Sequence, residues 1–238
     1  MLQAEMKLLT LLFLTAFSLI NVHALEIPAG QATEIGRRIW KNECAGTVSG
    51  LTSWNGGEEF PSLGIAHFIW YPAGRKGPFE ESFPGLMRFL KAEGRPVKEW
   101  MLGPCPWTSR KDFLAEINGP RLTELRSLLA ATVPLQARYA AMRLDAALPK
   151  MLAAAPAGSR DRVSENFQRI AIEPLGYYAL MDYVNFKGEG TNPTERYHGT
   201  GWGLLQVLLN MKSSGSALPA FVRSADEVLT LRVKNSPA

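Results

Sequence analysis

The spacing of apolar and polar positions predicts a helix over 32–44. Ile35, Ile39 and Trp40 share one face, while Arg37, Arg38 and Lys41 fall mostly on the other. Gly46 is the expected stop. The period then changes. Residues 51–54 read as a short strand, Asn55-Gly56-Gly57 as a turn, and 62–71 as a second strand rich in β-formers. Helical spacing returns over 81–93, 110–117, 121–131, 135–154, 160–172, 174–186, 201–211 and 217–234. Pro134 separates two of these helices, and Pro149 is expected to kink or break the longer one. Gly-Pro clusters at 72–78, 103–106 and 188–193 mark loops. There is no internal repeat or low-complexity linker. The expected fold class is mainly α with a small β-hairpin, an α+β arrangement in one domain over 25–238. The alternative is a long helical tail docked on a smaller α+β core.

The first residues change this picture. Lys7 precedes an apolar run over 8–20, and Val22-His23-Ala24 follows it. That run of about 13 residues is short of the roughly 20 in a membrane span and fits a signal peptide over 1–24. An uncleaved anchor is the competing reading. Export, to a periplasm or beyond the cell, is the expectation, with no membrane span in the mature chain. Cys44 and Cys105 are the only two cysteines. In an oxidising compartment they can pair, closing a loop of about 60 residues worth roughly 4 kcal/mol. Two unpaired buried thiols are the equal alternative. With only His67 and His198 beside them after residue 24, no ligand-type spacing for a metal exists, and neither metal nor cofactor is expected. The 238-residue chain carries a formal net charge of +4. That mild excess favours approach to an anionic wall or lipid surface. It is scattered, without interleaved aromatics, and therefore argues against a nucleic-acid partner.

Candidate chemistry begins at Glu43, where the first helix ends. Burial near Trp40 would disfavour its charged form, and so would the negative end of the helix dipole. A carboxyl kept neutral can protonate a leaving glycosidic oxygen. Glu58 and Glu59 follow the glycine turn. Extended geometry back from Ser62 sets Glu58 on one face with Phe60, Gly64 and Ala66, opposite Leu63 and Ile65. Glu58 is therefore preferred as a second cleft carboxylate. Trp54, Trp70 and Tyr71 flank the turn and are candidates for sugar subsites or for core. His67 is expected to be structural. Further on, a loop mixing Asn185, Glu189, Tyr197 and Trp202 with glycines has the make-up of a sugar-binding wall. Gln206, in an apolar helix, either ties that loop down or faces the cleft.

Ser62-Leu63-Gly64-Ile65-Ala66-His67 resembles the Thr-Ile-Gly-x-Gly-His hairpin strand of phage-type lysozymes, and Glu43 upstream resembles their catalytic glutamate. The lysozyme-like superfamily also contains goose-type lysozymes, chitosanases and lytic transglycosylases. The likeness covers 37–71. It departs from the pattern in a longer spacing from Glu43 to Gly64, in the missing hairpin aspartate, and in Ser62 for threonine, whose hydroxyl still suits orienting a water. Gly201-Trp202-Gly203-Leu204-Leu205-Gln206 is similar to the Gly-Leu-Met-Gln segment of lytic transglycosylases but falls late in the chain, so no role is carried over.

The resemblance implies a monomeric lysozyme-like domain that hydrolyses or lytically cleaves peptidoglycan or another amino-sugar glycan. Glu43 is then the general acid, Glu58 the assisting carboxylate, and Ser62, Tyr71, Asn185, Trp202 and Gln206 the substrate-binding set. The alternative is a non-catalytic glycan-binding or cell-envelope assembly protein on the same scaffold.

Overall fold

The computed structural model describes residues 27–77, 79–193, 195–212 and 214–237. The expected signal peptide over 1–24 lies outside them. No helix among the described residues is long and apolar enough to cross a membrane.

Helix α1 (Ala29–Glu43) buries Ala32, Ile35, Gly36 and Ile39. A side chain at position 36 would stand 2.9 Å from the Val133 side chain, so Gly36 lets two helices approach closely. The helix stops at Ala45 and Gly46, with φ of 52° and 67°. The amides of Cys44 and Gly46 both donate to the Trp40 carbonyl. A single 3₁₀ turn (Ser49–Leu51) leads into a three-stranded antiparallel sheet of β1 (Thr52–Ser53), β2 (Ser62–Leu63) and β3 (Phe68–Ile69). Thr52 pairs with Leu63, and Leu63 pairs with Phe68.

The 62–71 segment is therefore two strands and a turn, where the sequence pattern predicts one strand. Gly64 and His67 adopt φ of 73° and 50°. The Gln136 side-chain oxygen occupies the space a Gly64 Cβ would need, 2.4 Å away. It also accepts a hydrogen bond from the Ile65 amide at 3.0 Å. The chain reverses there, and the strict alternation used to orient Glu58 does not hold. Leu63, Ile65 and Ala66 are all buried.

The helices follow in order: α2 (Phe83–Ala92), α3 (Glu99–Leu102), α4 (Arg110–Ala115), α5 (Pro120–Ala131), α6 (Val133–Ala154), α7 (Arg160–Ala171) and α8 (Gly176–Lys187). A two-stranded hairpin, β4 (Arg196–Tyr197) and β5 (Thr200–Gly201), precedes α9 (Leu204–Asn210) and α10 (Ala217–Asn235). Its turn residues His198 and Gly199 both have positive φ, the geometry of a two-residue hairpin loop. Only the sheet near the N-terminus was expected, so this hairpin is an addition. Helix α6 runs unbroken through Pro149. Pro149 is exposed, so water can serve the carbonyl its missing N–H leaves behind. Pro134 sits in the first turn of α6, where it fits without loss.

Helix α6 lies against α1, α2, α7 and α8 and is the central element. Trp70, Trp107, Phe83 and Phe113 are fully buried between the sheet and the short helices. Trp70 lies 4.4 Å from Phe83 and 6.1 Å from Trp107 between ring centres. Cys44 and Cys105 are both buried and unpaired. Burial pushes each thiol up to about 11, which makes them inert apolar fillers rather than reactive thiols.

Candidate functional site

A groove of about 680 Å³ opens between the three-stranded sheet, α1, α6, α8 and the loop that follows α8. The end of α1 delivers Glu43 to it. Turn residues Ala66 and His67, with Ser62 of β2, form one wall. Helix α6 supplies Arg143, Leu144, Ala147 and Lys150 to the floor. Asp182 and Asn185 of α8, with Glu189, Gly190 and Asn192 of the loop, form the opposite wall.

Four residues expected in the site are brought together here: Glu43, Glu58, Ser62 and Asn185. Glu59 turns outward to an ion pair with Arg75, so Glu58 is the one of that pair that reaches the groove. Tyr71, Trp202 and Gln206 do not line it. Tyr71 is buried, donates its hydroxyl hydrogen bond to the Phe79 carbonyl and packs edge-on against Phe60. Phe79 itself is 54% exposed and does line the groove, so the aromatic available there is Phe79, with Tyr71 behind it. Trp202 has its indole face under Arg232, at 4.6 Å, and beside Tyr197. Gln206 ties the loop down: its oxygen accepts from the Gly203 amide at 2.9 Å, and its nitrogen donates to the Gly190 carbonyl at 3.0 Å.

Glu43 is half-buried. Burial raises its carboxyl above the ordinary range, the nearby charge of Asp182 adds to the rise, and His67 opposes it. Asp182 is likewise raised by burial. Among the described residues no hydrogen bond or ion pair engages either carboxyl. Glu58 has a buried Oε2 with no hydrogen-bond partner among those residues. Two cations of α6 cross the groove to acids of its rims: Arg143 to Glu80 at 3.5 Å and Lys150 to Glu189 at 3.6 Å. The lining counts Glu43, Glu58, Glu80, Asp182, Glu189 and Glu195 against Arg143 and Lys150. A chain with net positive charge thus encloses an acidic groove, which repels a polyanion such as nucleic acid. No group of three or more His, Cys, Asp or Glu among the described residues is arranged to hold a metal ion.

Sequence reasoning missed Asp182, Phe79 and the α6 cations. Asp182 carried a usable signal, because it is a lone acid in the otherwise apolar run of α8 and recurs with Tyr178 and Asn185 at helical spacing. Phe79 and the cations sit in segments whose fold-back over the sheet is a long-range event, invisible in local spacing. No family model, no curated protein and no solved structure matches the chain.

Proposed function

We propose that the protein is an exported glycoside hydrolase or lytic enzyme of lysozyme-like character, acting on peptidoglycan or a related amino-sugar polymer. Glu43 is its general acid. The observation that carries this reading is the position of Glu43: a half-buried carboxyl with a raised pKa at the end of α1, open to a groove of about 680 Å³. A carboxyl whose proton is held more tightly than usual is suited to give it to a glycosidic oxygen as the bond breaks. The exposed Phe79 ring offers a sugar a stacking face, and Asn185 offers an amide to its hydroxyls. The acidic lining suits a neutral or amino-bearing glycan backbone.

The test is digestion of purified cell-wall sacculi by the mature protein beside Glu43→Gln. Soluble muropeptides from the wild type, reduced at least about a hundredfold in the variant, are expected of a general acid. Wall binding without release by either protein would overturn the enzyme and leave the glycan-binding alternative.

A further inference from the structure

Glu43 needs a second group if water is to attack the anomeric carbon; of the other acids lining the groove, Glu80 and Glu189 are held in ion pairs, and Glu58 and Asp182 are the leading candidates. Glu58 reaches the groove from the loop between β1 and β2. Asp182 comes from the middle of α8, a rigid element packed directly on α1. The Asn42 side chain, next to Glu43, donates to the Tyr178 hydroxyl at 2.6 Å and fastens the two helices together. Tyr178, Asp182 and Asn185 then follow on one face of α8, and the last two line the groove with Glu43. Asp182 is the carboxylate whose charge acts on Glu43. Sites built on helices hold their geometry better than sites on loops.

We propose that Asp182 is the catalytic base of this groove, in place of Glu58; the assignment rests on the glycosidase reading above. In the reaction the oxygen of a water bonds to the anomeric carbon as the bond from that carbon to the leaving oxygen breaks. The water gives one proton to the Asp182 carboxylate. Glu43 gives its own proton to the leaving oxygen. The Asp182 proton then returns to Glu43 through solvent in the groove. The product has inverted configuration at the anomeric carbon. The titratable and charged groups that line the groove with Asp182 are Glu43 of α1, Glu58, His67 of the hairpin turn, Glu80, Arg143 and Lys150 of α6, and Glu189 and Glu195 of the loop. Tyr178 lies one turn away on its own helix.

The experiment compares wild type, Glu43→Gln, Asp182→Asn, Asp182→Ala and Glu58→Gln on sacculi, with thermal melts to confirm folding. Asp182→Asn is expected to lower kcat at least about a hundredfold with KM little changed, and to remove the acidic limb of the pH–rate profile. Sodium azide, a nucleophile that needs no base, is expected to restore turnover to Asp182→Ala with a glycosyl azide as product. Glu58→Gln is expected to lower kcat by less than Asp182→Asn does and to keep the acidic limb. A folded Asp182→Asn with near-wild-type kcat, or Asp182→Ala that azide does not rescue, overturns the assignment while the glycosidase reading stands. A wild type that releases nothing from sacculi overturns both.

Discussion

Two glutamines pin the opposite walls of the groove, and they are held differently. Gln136 of α6 is fully buried. Its oxygen accepts from the Ile65 amide of the hairpin turn, and its nitrogen donates to the Leu129 carbonyl at 2.6 Å and the Thr132 hydroxyl at 3.2 Å. Gln206 is half-buried, makes two bonds, and one of them goes to Gly203 at the start of its own helix. Each amide stands where a glycine leaves room. A Cβ at Gly64 would come within 2.4 Å of the Gln136 oxygen, and one at Gly190 within 2.2 Å of the Gln206 oxygen. The device is the same, but the hairpin wall is tied to the long central helix α6 by three bonds, whereas the loop wall is tied to the short helix α9 by two, one of them within that helix's own start. The hairpin beside Glu43 therefore cannot shift without opening the core. The loop wall beside Asp182 is held by fewer side-chain bonds and has more freedom to yield locally.

The largest effect that this contrast predicts is at Gln136. In Gln136→Leu the volume is nearly kept, but the Ile65 amide loses its partner in a dry interior, and the Leu129 carbonyl and Thr132 hydroxyl each lose a bond from the amide. The expected loss is about 3 kcal/mol of unfolding free energy, read as a lower urea midpoint with an unchanged slope. A loss under about 1 kcal/mol would mean that the turn is fixed by the sheet register and not by the amide.

Gln206→Leu is the matching change on the other wall, and its effect is expected to be smaller and local. The loop keeps two backbone bonds, Leu204 N–H to Gly188 and Leu205 N–H to Glu189, both at 3.0 Å. Global stability should fall by about 1 kcal/mol. Hydrogen exchange at the Gly203, Leu204 and Leu205 amides should rise about tenfold through local opening, with the Ile65 amide unchanged. Equal acceleration at Ile65 would show that the two walls open as one unit and would erase the distinction.

The same contrast marks what could be read from the chain. Helix α1, its stop at Gly46 and Glu43 at its end followed from spacing alone, because apolar periodicity and a left-handed cap are local properties. So did the succession of helices over the rest of the chain, apart from the short α3, which had no counterpart, and the start of α9, expected at 201 and found at Leu204. The hairpin was legible as β-rich, yet its reversal at Gly64 was not, because the turn is imposed by Gln136, 71 residues away. Gln206 stands out in the sequence as an amide needing partners, with both of its roles left open; it is half-buried, and the loop-tying role is the one observed. Trp202 looked like a sugar platform, and its face is instead covered by Arg232 from the last helix. Residues such as Trp202 and Tyr71 are assigned by what covers them, and the covering segment is far away in sequence.

The smallest predicted effect concerns the helices beneath the two walls. Asp145 of α6 accepts a hydrogen bond from the Tyr177 hydroxyl of α8 at 3.2 Å and so joins the common floor to the loop wall. Burial pushes its carboxyl up to about 6, against the lowering effect of that bond. A carboxyl whose folded pKa exceeds its unfolded value of 3.8 binds its proton more tightly in the native state. Its protonated form therefore adds stability below about pH 4, and that stability declines as the pH rises to about 6. Above that, the charged group is a standing cost. The full shift corresponds to about 3 kcal/mol, and partial exposure reduces the expected effect to about 1 kcal/mol. Asp145→Asn keeps an oxygen for Tyr177 and removes the charge. It should be more stable than wild type at pH 7 by that amount, equal to it near pH 4, and flatter between them. Urea midpoints across this range would measure it. A variant less stable than wild type at pH 7 would mean that the ionised Asp145–Tyr177 bond outweighs its burial. The loop wall would then be anchored through α8 by charge, and its softness relative to the hairpin would be confined to the segment held by Gln206.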